Sequence, residues 1–193
     1  MNPQQEIWNR RYREREGRDD PLQPARVLCD YLHLLPVQGS ALDLACGRGA
    51  NALLLAQQGL QVSAWDISHV ALQQLQQAAV QQQRVIETQL RDVVASPPQA
   101  CEFDVIVVSY FLERPLFAAL KAALKPRGLL FYQTFTRDKC SEVGPTNPDY
   151  LLAQNELLNL CAGMRVLAYR EEGRVGDCNK GFRNEALMVA QRL

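Results

Sequence analysis

The sequence predicts an α/β protein whose sheet is mostly parallel, and three observations carry that expectation. Residues 41–58 (ALDLACGRGANALLLAQQ) read as a short buried strand, a glycine turn and an apolar helical block. Residues 60–84 repeat the strand-then-helix order, which makes a right-handed βαβ unit. Further strand-like runs follow at 85–90, 103–108 and 128–135, and the last two, 164–169 and 185–190, have no helical pattern between them, as in an antiparallel hairpin.

Each element has a local reason. Residues 4–16 (QQEIWNRRYRERE) place Ile7, Trp8 and Tyr12 on one helical face amid charges. Residues 20–35 follow a proline-marked break, with Asp20 placed to cap a second helix ahead of Pro21 and Val27, Leu28, Tyr31, Leu32 and Leu35 at helical spacing. Gly47 and Gly49 allow the tight turn after the first strand. Ser68 caps the helix that runs to about Arg84, whose exposed face is rich in glutamine. Pro97 and Pro98 turn the chain into residues 103–108, and Glu113–Pro115 open a helix reaching Leu124. Lys125 to Gly128 form a turn before the fifth strand. Residues 136–149 (TRDKCSEVGPTNPD) form a long irregular stretch with the composition of a lid or binding loop, with Phe135, Thr136, Asn147 and Tyr150 as possible lining. Asp149 is placed to cap a helix over residues 151–160.

The glycine turn is the centre of function. Backbone N–H groups at the start of its helix favour negative or hydrogen-bond-accepting ligand groups. Gly47, Gly49 and Ala52 fit the dinucleotide fingerprint, and Asp66 stands where a ribose-binding acid belongs. That spacing alone admits a nicotinamide-dependent oxidoreductase. Asp43, an acid inside the strand just ahead of the turn, does not suit a nicotinamide site. With it, DLACGRG resembles the first motif of the class I S-adenosylmethionine-dependent methyltransferases, D-L-G/A-C-G-x-G. DLACGRGANALLLAQQG followed by VSAWDIS is similar to small-molecule members of the tellurite-resistance type, and LKPRGLL matches their L-K-P-G-G-x-L landmark with Arg127 in place of a glycine.

The resemblance covers residues 41–190 well and the N-terminal helices loosely. It implies a Rossmann-like, mostly parallel seven-stranded sheet with helices on both faces and a C-terminal antiparallel hairpin. It implies S-adenosyl-L-methionine as cofactor. The cofactor residues it implies are Trp8, Tyr12 and Arg13 in an N-terminal lid; Asp43, Ala45, Cys46, Gly47 and Gly49 in and around the turn; Asp66 and Ile67 at the ribose; Asp92 and Val93 at the adenine; and Ser109 and Tyr110 at the carboxyl end of the fourth strand. Asp92 also suits a plain loop. SYFL at residues 109–112 departs from the N/D-P-P-Y/F tetrad of enzymes that methylate nucleic-acid amines, and no histidine follows His69, so the tellurite-type substrate does not transfer.

Length and composition bound the rest. The chain has 193 residues and is 47% apolar, enough for one domain, with residues 1–36 covering the cofactor site of a core at 41–190. Twenty-one basic residues balance twenty-one acidic ones, so no nucleic-acid or membrane partner is expected. Residues 1–10 lack a signal-peptide pattern and no apolar run reaches membrane length, the expectation for a cytoplasmic protein acting as monomer or homodimer. Six scattered cysteines without a CxxC pair predict neither a disulfide framework nor a metal site, with Cys29, Cys101 and Cys161 as small core residues. The expected activity is methyl transfer to a small acceptor (a thiol, chalcogen oxyanion or polar metabolite), with Tyr110, Glu113, Arg174 and Arg183 as candidates to activate or position it. A non-catalytic S-adenosylmethionine-binding sensor or accessory subunit would keep the same cofactor residues.

Overall fold

The computed structural model describes residues 2–16 and 22–193. One seven-stranded sheet runs in the order β3-β2-β1-β4-β5-β7-β6. Its strands are β1 (Ser40–Leu44), β2 (Gln61–Asp66), β3 (Ile86–Leu90), β4 (Phe103–Ser109), β5 (Leu124–Phe135), β6 (Arg165–Glu171) and β7 (Glu185–Gln191). The first five are parallel, and β7 lies antiparallel between β5 and β6. Chain order reverses between β1 and β4, so their carboxyl ends frame the crevice where such sheets bind ligands.

Alternation along the strands divides the core in two. Ala41, Val105, Val107, Phe131 and Val189 face one side, against α2 (Arg26–Asp30), α3 (Ala50–Gln57) and α4 (His69–Gln81). Leu42, Leu44, Ile106, Val108, Leu130 and Met188 face the other, with residues of α5 (Leu116–Ala123) and α6 (Glu156–Leu160). Strands covered on both sides must be apolar throughout; β1 breaks that rule once, at Asp43, which has no exposed surface. The first helix, α1 (Pro3–Arg15), is capped by the Asn2 side chain and rests on α4, where Ser68, the N-cap of α4, donates to the buried Asn9 at 2.8 Å.

Several expectations need correction. The helix expected over residues 20–35 is the single turn α2 followed by a 3-10 turn at Leu32–Leu34. Asp20 and Pro21 lie outside the described residues. Tyr31, at φ −122°, interrupts the helix, and the backbone N–H of Val27 goes to the Gln133 side chain. The helix over 151–160 begins only at Glu156: Leu152 accepts from Arg137 N and donates to Phe135 O, so its backbone belongs to the edge of β5. Asp149 caps nothing there; Asn147 instead caps the 3-10 turn Pro148–Tyr150.

The cysteines differ as well. Cys140 and Cys178 form a disulfide, with Cα atoms 5.7 Å apart, that joins the irregular stretch after β5 to the β6–β7 connection. Each sits in a loop 38 positions from the other, and only the folded chain brings them to bonding distance. Cys29 and Cys101 are exposed, while Cys161 is buried as expected.

Gly49 is the left-handed residue (φ +77°) at which the turn becomes α3, and a Cβ on it would overlap the Leu75 side chain of α4. Gly49→Ala is expected to destabilise the protein by about 2–4 kcal/mol in urea unfolding, from backbone strain plus overpacking. Gly47→Ala should cost less, because the Cβ there meets only the end of the Tyr12 side chain.

Candidate functional site

The site is built on the turn between β1 and α3. Ala45, Gly47 and Gly49 all take positive φ, so the backbone coils tightly and points its N–H groups inward. Cys46 N donates to Trp65 O at 3.0 Å and Gly47 N to Asp66 Oδ2 at 2.8 Å, which fastens the turn to the end of β2. No side chain caps α3 from the N-cap position itself. Asp43 does that work from inside β1, with Oδ2 accepting from Ala52 N at 3.0 Å.

Two buried carboxylates therefore lie beneath one glycine loop. Burial raises the Asp43 pKa to about 7; hydrogen bonds from Ala52 and Asn51 work against that rise, and the charge of Asp66 adds to it. Burial also raises Asp66, opposed by N–H groups of Ser68, Gly47 and Ile67. Asp66 Oδ1 accepts from Ser68 N and Oδ2 from Gly47 N, and a carboxylate has acceptor capacity beyond these bonds and the Ile67 N–H. Cys46 is buried and its thiol is pushed well above the usual range by burial and by Asp43 and Asp66. It is a space-filling thiol rather than a nucleophile.

The N-terminal helix closes over this loop. The Tyr12 hydroxyl lies 2.6 Å from where a Cβ on Gly47 would stand. Burial and the Asp66 charge keep its phenol protonated. Trp8 stacks beside Tyr12 with centroids 6.0 Å apart and carries the Arg11 guanidinium 4.8 Å from its ring. Arg13 is exposed and lines a groove with Glu16, His69 and Gln73 between α1 and α4.

Other expected residues occupy mixed positions. Asp92 Oδ1 accepts from Val94 N and Ala95 N, and Oδ2 from Asn2 Nδ2 at 2.7 Å, so its carboxylate organises the turn after β3 and the start of α1. Val93 is buried and Ile67 partly so. Ser109 accepts from Asn51 Nδ2 at 2.9 Å, which joins the end of β4 to the start of α3. Tyr110 adopts φ +55° and is half exposed, its ring 5.1 Å from that of Phe135. Glu113 is partly buried ahead of α5. Arg174 pairs with Asp138 at 3.2 Å and donates to Lys139 O, and Arg183 donates to Lys180, Gly173 and Asp177 carbonyls, so both fix the 172–184 segment.

Sequence reasoning missed Asn51, Gln133, Glu185 and Asn9. Asn51 Oδ1 accepts from Ala25 N at 2.8 Å while its amide reaches Ser109 and Asp43. Gln133 Oε1 accepts from Val27 N at 2.7 Å, and its amide donates to Glu185 at 2.6 Å and to Tyr110 Oη at 3.1 Å. A polar residue inside an apolar strand was the signal that singled out Asp43, and it applied equally to Gln133 in LLFYQTF. Gln133, Tyr110 and Glu185, with Arg26, Phe182 and Arg183, line an open cavity of about 300 Å³ beside the carboxyl ends of β4 and β5.

With that geometry established, likeness to known proteins becomes informative. Residues 41–128 match the methyltransferase domain family. That stretch holds the β1 turn, Asp66 and Asp92, so the likeness falls on the candidate site itself. The chain is 30% identical over 122 residues to YqeM of Bacillus subtilis (strain 168), covering 58% of this chain and 48% of that protein. It is 31% identical over 102 residues to the ubiquinone biosynthesis O-methyltransferase of Coxiella burnetii (strain Dugway 5J108-111), covering 50% and 44%. The chain thus spans about half the length of these curated relatives. Its fold resembles that of TehB from Haemophilus influenzae, with a TM-score of 0.70 at 22% identity over 96% of this chain and 67% of TehB. Among the described residues no helix is long and apolar enough to cross a membrane.

S-adenosylmethionine, the cofactor that the resemblance implies, carries a sulfonium and an ammonium group, and a site with two buried carboxylates raised by desolvation suits such a cation. Gly47 has no side chain of its own, and the group that lies over it is the Tyr12 hydroxyl of α1, so a ligand reaching the loop backbone would meet Tyr12 there. The same carboxylates set the pH response of the ligand-free protein. A carboxyl group whose folded pKa exceeds its unfolded one binds more protons when folded, so its stabilising contribution is present at low pH and lost as pH rises through the folded value. Between pH 4 and 7 Asp43 should therefore contribute a falling slope of up to about 1.4 kcal/mol per pH unit. Asp43→Asn should remove that slope in urea unfolding measured across the same range.

Proposed function

We propose that the protein binds S-adenosylmethionine beneath α1 and transfers its methyl group to a small acceptor held in the cavity beside Tyr110. The observation that supports this most is the buried Asp43–Asp66 pair on one glycine loop, an arrangement that a cation-bearing ligand would neutralise. Asp43 fixes the loop, while Asp66 offers its remaining lone pairs to a ribose diol. Ile67, Asp92 and Val93 form the adenine side, and Ser109 and Tyr110 the side facing the acceptor. Tyr12 and Trp8 exclude water from above, with Ala45, Cys46, Gly47 and Gly49 shaping the floor. Arg13 stays at the rim of the lid.

The bound cofactor supplies an already activated methyl group, so the protein's own work is mostly orientation and desolvation. The Asn51–Ser109 hydrogen bond holds the start of α3 and the end of β4 in fixed relation. The Tyr110 phenol, raised to about 12 by burial and Glu185, stays neutral and offers a ring face to a nearby cation. The Coxiella relative is named for O-methylation, which adds hydroxyl compounds to the thiols, chalcogen oxyanions and polar metabolites to be tested as acceptors.

Calorimetry with S-adenosylhomocysteine tests the cofactor assignment. Binding with a Kd on the order of micromolar is expected, weakened at least about tenfold by Asp66→Ala, with no heat from NADH. Binding of NADH instead would mean that the glycine turn serves a nicotinamide cofactor.

A further inference from the structure

The cavity beside Tyr110 contains one group equipped to take a proton, and sequence reasoning passed over it. Glu185 is the first residue of β7 and pairs with Phe135 at the end of β5. Gln133 determines how its carboxylate is held. The backbone N–H of Val27 requires an acceptor, which commits the Gln133 carbonyl to that side and turns the amide N–H₂ toward Glu185. That amide and the Tyr110 hydroxyl, at 2.6 and 3.4 Å, both donate to Oε2. None of the described hydrogen bonds falls on Oε1, and Glu185 lines the cavity.

The other lining groups are unsuited to the task. Tyr110 holds its proton, and its hydroxyl is already directed at Glu185. Arg26 pairs with Asp30 at 3.0 Å, and Arg183 is tied to four carbonyls and, at 3.8 Å, to the Glu172 carboxylate. Arg183 is thus committed to its own segment and Arg26 gives its Nε to Asp30, while the Glu185 carboxylate on the cavity wall would repel an anionic acceptor. Burial raises Glu185 above the ordinary carboxylate value, which strengthens it as a base, against hydrogen bonds from Gln133 and Tyr110 and the charge of Arg26.

We infer that Glu185 accepts the proton of the methyl acceptor, and that the acceptor is a neutral X–H nucleophile such as a hydroxyl, thiol or amine rather than an oxyanion. This rests on the methyl-transfer reading above. The balance is simple: X–H and the sulfonium methyl give X–CH₃, a neutral thioether and one proton, and the Glu185 carboxylate becomes a carboxylic acid. A cation and an anion both disappear, so the step leaves no separated charge in the site.

Sinefungin tests the inference without knowledge of the acceptor, because a carbon bearing an amine replaces its sulfonium methyl. Transfer requires the methyl to face the acceptor cavity, so the protonated amine faces the cavity too. Calorimetric titration of wild type and Glu185→Gln with sinefungin and with S-adenosylhomocysteine should show sinefungin weakened about tenfold by the substitution and S-adenosylhomocysteine unchanged. Sinefungin affinity equal in the two proteins would overturn the assignment. So would equal weakening of both ligands, which would make Glu185 a structural residue. If S-adenosylhomocysteine fails to bind wild type, the methyl-transfer reading itself fails and the inference goes with it.

Discussion

The hydrogen bond from Ala52 N to the buried Asp43 carboxylate is the constraint on which the site depends. A charged group in a strand covered on both faces is costly unless its lone pairs are met. Here they are met by the first turn of the following helix and by Asn51, so the strand and helix can be joined only through a tightly coiled loop. That requirement explains the glycines, the left-handed Ala45 and the small residue at Cys46. The loop then lies over two buried carboxylates beside the crevice where the sheet order reverses.

From that corner the polar groups run outward in sequence. Asn51 joins α3 to Ser109 and to the chain entering α2; Gln133 joins α2 to Glu185 and Tyr110 across β5 and β7. Each bridging amide is buried and each satisfies a backbone N–H that would otherwise be orphaned. The same bonds that close the fold thus fix the side chains around the proposed cofactor and acceptor. Loss of a bridging amide would cost stability and site geometry together.

The sheet was legible because strand and helix patterns with glycine or proline punctuation need no long-range information. The β1 turn, Asp66 at the end of β2 and the closing hairpin were read from local residues alone. The short α2 and delayed α6 were not, because helical spacing at 27–35 and 151–160 is overridden by tertiary bonds from Gln133 to Val27 and from the edge of β5 to Leu152. The Cys140–Cys178 disulfide joins two loops whose proximity only the sheet order creates. Arg174 and Arg183 stood out as charges near the end of the chain, yet the fold directs them to carbonyls and acids of their own neighbourhood. Glu185 escaped notice because nothing local distinguishes it from a strand-edge acid; Gln133 and Tyr110, both distant in sequence, give it its setting.

The central claim is that Asp43 and its neighbour make a site receptive to a cation, and proton linkage on binding measures that most directly. S-adenosylmethionine should be titrated into wild type and Asp43→Asn at pH 7 by calorimetry in phosphate and in Tris, buffers of very different ionisation enthalpy. A carboxyl group with its pKa at about 7 is partly protonated there, and an incoming cation should expel a fraction of a proton. The account predicts a buffer-dependent heat in the direction of proton release for wild type that Asp43→Asn lacks. Tight binding with the same heat in both buffers would contradict it.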